Sequence, residues 1–181
     1  MELDVIKSVL SSSIDPSLEA TDYRLASVLV VIYGEKPVVI MTEKPKHMKF
    51  HAGEISFPGG KLEPDDSNLL ETALRETREE IGLTITKEQV IGQLEPVITL
   101  NSGFMILPFV AVIDSVPILS PNGEVAEIFH ISLDSFLKTM ARDPDPSHNL
   151  IQEMYTFEYE DKTVWGASAR ILKQIQEYVK S

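Results

Sequence analysis

Cysteine is absent from this 181-residue chain, which removes disulfides, thiol chemistry and thiolate zinc sites from consideration. A chain without disulfides permits a reducing compartment, and a cytoplasmic location is the expectation. Long apolar runs are missing as well. No stretch approaches the length of a membrane span, and the acidic start, Met1-Glu-Leu-Asp-Val-Ile-Lys7, does not read as a secretory signal. Positive charge is scarce: 16 Lys and Arg stand against 28 Asp and Glu, a formal net charge of −12. Duplex nucleic acid, which is gripped by clustered Lys and Arg, is therefore not an expected partner, and neither is a membrane. There is no internal repeat and no composition shift that marks a boundary. With 43% hydrophobic and 24% charged residues, the composition predicts one globular domain over residues 1–181.

Apolar periodicity outlines the elements. Residues 2–10 carry Val5, Ile6, Val9 and Leu10 at helical spacing. Residues 26–33 are a β-branched apolar run, and residues 37–42 follow after a turn containing Gly34, so the two predict a hairpin. A polar loop over 44–52 precedes a short strand over 53–57, a glycine turn at 57–60 and a helix over 67–82. Strands are predicted at 90–100 and 104–113, joined at Asn101-Ser-Gly103. The turn Ser120-Pro-Asn-Gly123 leads to a strand over 126–131. Ser132 or Asp134 can cap a short helix reaching Met140. The run Asp143-Pro-Asp-Pro-Ser147 reads as an exposed loop, because its prolines forbid regular structure. A second hairpin over 154–159 and 163–165 and a closing helix over about 167–179 complete the chain.

The helix over 67–82 contains Arg75-Glu-Thr-Arg-Glu-Glu-Ile-Gly-Leu83. Glu76, Glu79 and Glu80 stand at i, i+3 and i+4, on one face of an ideal helix within an arc of roughly 100°. Leu70, Leu74, Thr77 and Ile81 fall on the other side and can pack. Standing alone, such a string is most often a solvated face with an i,i+4 pair such as Arg75–Glu79. Here it follows Phe57-Pro-Gly-Gly60, whose glycines allow close backbone approach. Like charges at this density call for a cation among them, and all-oxygen donors suit Mg²⁺ or Mn²⁺.

These residues resemble the Nudix box, G-x5-E-x7-R-E-U-x-E-E-x-G-U, where U is bulky and apolar. Gly60 matches its first glycine, and Arg75, Glu76, Glu79, Glu80, Gly82 and Leu83 match its second half. The interval from Gly60 to Arg75 is one residue longer than the pattern, so its middle glutamate position falls on Asp66 or on Ser67, and the first U is Thr77. Upstream, Ile40-Met-Thr-Glu-Lys-Pro45 runs without a gap through Lys49 and Gly53 to Phe57-Pro-Gly-Gly60. This resembles the L-L-T-x-R-S-x3-R-x3-G-x3-F-P-G-G pattern of the coenzyme A pyrophosphatase-like branch of the Nudix hydrolases. Both arginines of that pattern are lysines here, Lys44 and Lys49, and its serine is Pro45. Ser102-Gly-Phe104, Pro108-Phe-Val110 and Val164-Trp-Gly-Ala-Ser-Ala169 resemble later segments of the branch, which extends the likeness over residues 24–172.

The resemblance implies an α/β/α sandwich with a mixed sheet and metal-dependent hydrolysis of a nucleoside diphosphate-linked small molecule. Its first implied substrate is coenzyme A, cut to 4′-phosphopantetheine and adenosine 3′,5′-bisphosphate. ADP-ribose, dinucleotides or nucleoside triphosphates are the alternative, with a catalytically silent binding fold behind them. Mg²⁺ or Mn²⁺ would be held by Glu76, Glu79, Glu80 and the Gly59 carbonyl, with Glu76 or Glu79 as general base and Arg75 orienting a carboxylate. Lys44, Lys49 and Gly60 would meet the substrate, lysine keeping the charge of arginine without its bidentate fork. Glu124 and Glu127 are candidates for a further acidic group from a later loop. His51 is the one histidine placed to matter, Phe104 and Trp165 are expected to pack in the core, and a homodimer is left open.

Overall fold

The computed structural model describes residues 1–20, 22–49, 51–149 and 152–181. Helix α1 (Leu3–Leu10) comes first and buries Leu3, Ile6 and Leu10. Strands β1 (Arg24–Tyr33) and β2 (Val38–Glu43) form the predicted hairpin. Two short strands follow, β3 (Ile55–Ser56) and β4 (Gly59–Lys61), and then helix α2 (Leu69–Ile81). A 3₁₀ turn over Lys87–Gln89 leads into β5 (Val90–Gln93), β6 (Val97–Ile98) and β7 (Phe104–Ile113). Strand β8 (Glu127–Ser132), helix α3 (Leu133–Leu137) and strand β9 (Ala141–Arg142) come next. The chain closes with β10 (Tyr155–Tyr159), β11 (Lys162–Val164) and helix α4 (Gly166–Lys180).

The long strand β1 organises the sheet. It pairs in parallel with β7 along its whole length, from Arg24 opposite Phe104 to Tyr33 opposite Ile113. Its other edge is shared by two antiparallel partners, β4 at residues 26–28 and β2 at residues 32–33. The main sheet has eight strands, with β3 and β8 on β2 and β5 and β6 on β7. One parallel pair among antiparallel ones makes it the mixed sheet expected.

Alternation along β1 divides two apolar layers, since successive side chains of a strand point to opposite faces. Leu29 and Val31 pack with Leu69, Leu70, Ala73 and Ile81 of α2 on one face. Val30 and Ile32 face the other layer, where Leu3, Ile6, Phe136, Phe157, Leu172 and Ile175 join them. Helices therefore cover both faces, as the sandwich requires, and the three-stranded sheet β11-β10-β9 shares the second layer.

Several expectations change. The segment 59–61 is a strand rather than a turn, because its backbone is paired: Ser27 lies opposite Gly60 and Val28 opposite Gly59. The strand expected over 90–100 divides into β5 and β6 around Glu95-Pro96, as proline has no N–H to give a ladder. Helix α3 ends at Leu137, short of Met140. The run 143–147 is not wholly exposed: Asp143 is buried, its N–H donates to Met154 O at 2.8 Å, and its carboxylate meets His148 Nδ1 at 2.8 Å. Neither aromatic is fully buried in the core. Trp165 stacks on His148 with ring centroids 4.8 Å apart, and Phe104 carries the Arg24 guanidinium 4.1 Å above its ring.

Gly92 on β5 locks the N-terminal segment to the sheet. A Cβ there would overlap Leu10 O and lie 2.6 Å from Ser12 Oγ, where Ser12 N–H donates to Ile91 O and Gln93 N–H to Ser12 Oγ. Gly92→Ala should therefore destabilise the fold by about 1–3 kcal/mol, the usual cost of overpacking, with activity at low temperature retained. Urea melts check this, and an unchanged midpoint would show that the segment is not held at Gly92.

Candidate active site

Helix α2 is set by its ends. Asn68 Oδ1 accepts the Glu71 N–H at 3.1 Å, and Gly82 closes the helix in the left-handed region at φ 71° with its N–H on Arg78 O. The turn at 120–123 does more than reverse the chain. Ser120 N–H donates to Ile81 O at 3.0 Å and Asn122 N–H to Glu80 O at 2.9 Å, so this segment satisfies carbonyls that the helix end leaves open. The sequence signalled a turn there, but not its docking on α2.

Glu76, Glu79 and Glu80 of α2 are not equivalent. The Glu80 side chain is 2% exposed, Glu76 13% and Glu79 49%. The face expected to be opposite the carboxylates does pack, with Leu70, Thr77 and Ile81 buried and Leu74 partly so, yet Glu80 is buried as well. Both Glu80 oxygens are engaged: Oε1 accepts from Lys44 Nζ at 2.6 Å and Oε2 from the Gly59 N–H at 3.2 Å. Burial pushes the Glu80 carboxyl above its ordinary range, against the lowering pull of Lys44. Burial raises Glu76 too, with Arg75 opposing it.

Gly60 lies directly over Glu76. A Cβ on Gly60 would overlap Glu76 Oε1 and stand 2.6 Å from Cδ. The absence of a Cβ at Gly60 thus leaves room for the carboxylate beneath the strand, and no unusual backbone angle is involved. Gly59 is confined from the other side, where a Cβ would come within 2.7 Å of Val28 Cα.

Arg75 acts as a clamp. Nε and Nη2 grip Asp66 at 2.8 and 2.9 Å, while Nη1 donates to Glu76 at 3.0 Å and to Glu79 at 3.1 Å. Asp66 also accepts from Glu63 N–H and Thr72 Oγ1. Of the two positions left open by the longer interval, it is Asp66 rather than Ser67 that meets the arginine. Its bond to Arg75 holds the Asp66 carboxyl down at about 2.

Lys44 pairs with Glu80, and Glu124 Oε2 lies 4.0 Å from its Nζ. Lys49 lies exposed in the same loop. That loop is closed at its base by Lys44 N–H on Glu54 O and Gly53 N–H on Lys44 O, at 2.9 and 3.0 Å. His51 serves the loop itself, pairing with Glu54 at 2.7 Å. Of the two later acids, Glu124 reaches the rim of the site. Glu127 sits opposite Glu43 across β2 and β8, and Glu43 is matched by Lys162 at 2.9 Å.

Among the described residues no three His, Asp or Glu side chains converge as a metal cage. The donors nevertheless fit a hard divalent ion in kind: they are all oxygen, two of them are desolvated, and an ammonium already rests on the most buried one. Glu79 faces Arg75 and contributes least as placed.

A NUDIX domain family model matches residues 23–152. An uncharacterized Nudix hydrolase, NudL, of Yersinia pestis (strain Pestoides F) is 32% identical over 163 residues, covering 88% of this chain and 81% of its own length. Among solved structures, a MutT/nudix family protein from Enterococcus faecalis superposes with a TM-score of 0.61 at 16% identity, over 93% of this chain and 66% of that one. The NUDIX domain of Shewanella oneidensis NrtR, complexed with ADP ribose, gives 0.53 at 18% identity, over 70% of this chain and 82% of that one.

Two substitutions test the geometry. Gly60→Val should abolish most activity while the thermal midpoint moves little, because the new side chain displaces Glu76 at the site's edge; an active variant would show that the spacing over Glu76 is idle. Asp66→Asn should lower stability near neutral pH. A carboxyl depressed to about 2 from its ordinary 3.8 contributes stability above about 3.8 that is lost as pH falls towards 2. The gap between native and Asp66→Asn in urea stability should therefore narrow between about pH 4 and pH 2. A gap independent of pH would remove the Arg75–Asp66 pair from that role.

Proposed function

This chain belongs to the NUDIX family and is a Nudix hydrolase acting on nucleoside diphosphate-linked compounds, and from that premise we propose that it hydrolyses the diphosphate of coenzyme A. The products would be 4′-phosphopantetheine and adenosine 3′,5′-bisphosphate. The observation that carries the chemistry is the pair of desolvated carboxylates, Glu76 and Glu80, pressed against the backbone of Gly59 and Gly60. The coenzyme A reading is supported by the sequence pattern from Ile40 to Gly60, whose lysine-bearing loop is pinned beside Glu80.

In this reading Glu80 and one oxygen of Glu76 would hold Mg²⁺ or Mn²⁺, and Glu79 would join if its contact with Arg75 is exchanged. The ion, when bound, neutralises phosphate charge and lowers the pKa of a coordinated water. Glu76 is the better placed of the two candidate bases, since its burial raises its basicity and Arg75 fixes its orientation. It takes the proton from the attacking water as the new P–O bond forms. The bridging P–O bond then breaks, and its electron pair leaves with the departing phosphate. Arg75, committed to Asp66, Glu76 and Glu79, positions carboxylates rather than substrate. The second reading, ADP-ribose as substrate, is favoured by the ligand of the Shewanella NUDIX domain and by the engagement of Lys44 with Glu80.

Product identification by mass after incubation with Mg²⁺ or Mn²⁺ and coenzyme A, dephospho-coenzyme A, ADP-ribose and dinucleotides separates the two. Good cleavage of ADP-ribose with none of coenzyme A would discard the first reading and keep the second. Glu80→Gln should reduce turnover at least about a hundredfold with the fold retained, because a charged donor becomes neutral. Near-native turnover of that variant at saturating metal would remove Glu80 from the site.

A further inference from the structure

The ammonium of Lys44 rests on Glu80, a carboxylate that the proposed ion would use. Glu80 has no spare oxygen, with one bound to Nζ and the other to the Gly59 N–H. A divalent ion on this carboxylate would stand beside an ammonium of like charge, and of the two present partners the Gly59 N–H belongs to a strand paired on β1. Lys44 is the movable partner. Its backbone is fixed on both sides by Glu54 O and the Gly53 N–H, but its four-carbon stem is flexible. A second acceptor stands ready: Glu124 Oε2 is 4.0 Å from Nζ, on a side chain that is 63% exposed. The backbone of Glu124 is tied to the end of α2, because its N–H donates to Asn122 Oδ1 and Asn122 N–H to Glu80 O.

We propose that Lys44 is a tethered counter-ion that holds Glu80 until a divalent ion takes its place, and then moves outward to Glu124 at the rim. This rests on the metal reading above. While the ammonium is seated, the buried carboxylate is neutralised and the helix face stays intact without metal. The apparent affinity for the ion falls by the fraction of time that Glu80 is open; if that fraction is about one-tenth, affinity falls about tenfold. By linkage, metal binding releases Lys44 to the same degree. At Glu124 the ammonium stands at the mouth of the site, where an anionic diphosphate arrives, so release of the lysine and readiness for substrate are one event.

The test measures Mn²⁺ affinity by calorimetry and the rate of Lys44 acetylation by an amine-reactive ester, followed by mass spectrometry with and without Mg²⁺ and with no substrate present. Lys44→Met should bind Mn²⁺ about tenfold more tightly than the native protein and melt lower in its absence. Lys46→Met, which removes an exposed charge from the same loop, should change affinity less than about twofold, as screening weakens an exposed charge at a distance. In the native protein, saturating Mg²⁺ should raise Lys44 labelling several-fold and leave Lys162, paired with Glu43, unchanged. Equal tightening by Lys44→Met and Lys46→Met, or Mg²⁺ binding with no rise in Lys44 labelling, overturns the exchange while leaving the metal site standing. Absence of any Mn²⁺ or Mg²⁺ binding to the native protein overturns the metal reading and this inference with it. The labelling arm stands even if Lys44→Met does not fold.

Discussion

A carboxylate buried to 2% exposure is the constraint around which this end of the molecule is built. Taking an ionised Glu80 out of water is costly unless a cation and hydrogen-bond donors meet it. The structure supplies both, an ammonium from the end of β2 and a backbone N–H from β4. Those two contacts bind three elements that are remote in sequence. The charge of Glu80 thus ties together the sheet edge, the glycine strand and the helix, whose placement also rests on the pairing of β4 with β1 and the apolar packing of α2.

The same reasoning explains the glycines. Strand β4 pairs with the edge of β1 through residues 26–28, and α2 packs Leu69, Leu70 and Ala73 against the face of the sheet that carries Leu29 and Val31. Glu76 and Glu80 project from that helix towards β4, so the strand must leave them room. Gly60 gives that room over Glu76, and Gly59 gives it over β1. Arg75 completes the arrangement from the outer side, where Asp66 takes two of its donors and leaves Nη1 for Glu76 and Glu79. The residue added between Gly60 and Arg75 does not disturb the clamp, since the loop over 62–68 absorbs it and still delivers Asp66.

Most of the fold was legible because its signals are local. The β-branched run of β1, the glycine that ends α2 at Gly82, and the apolar stripe of α4 each specify an element without reference to anything distant. The glutamates, too, were legible as a group from their spacing. Their inequality was not, because periodicity places a residue on a face and says nothing of what covers that face. Burial of Glu80 depends on β4 and Lys44, which arrive from 21 and 36 residues away. The glycine segment misled for a related reason: Phe-Pro-Gly-Gly reads locally as a turn, and only pairing with β1 makes it a strand. The docking of 120–122 on the helix end, and of Glu124 with it, had only a turn signal to announce it.

Charge balance at the site bears on what it can bind. Lys44 is matched by Glu80 and Glu124, Arg75 by Asp66, Glu76 and Glu79, and Lys162 by Glu43. Each of these cations is committed to at least as many carboxylates, within a chain whose formal net charge is −12. A diphosphate entering such a field meets no surplus of positive charge from these groups. Attraction must then come from an added divalent ion, from the lysines of the loop over 44–53, or from both. The loop is anchored at Lys44, the one residue that touches the deepest carboxylate and also begins the basic segment. Under the exchange proposed for Lys44, metal occupancy and the display of positive charge to substrate would be coupled through that side chain, and both would depend on the burial of Glu80.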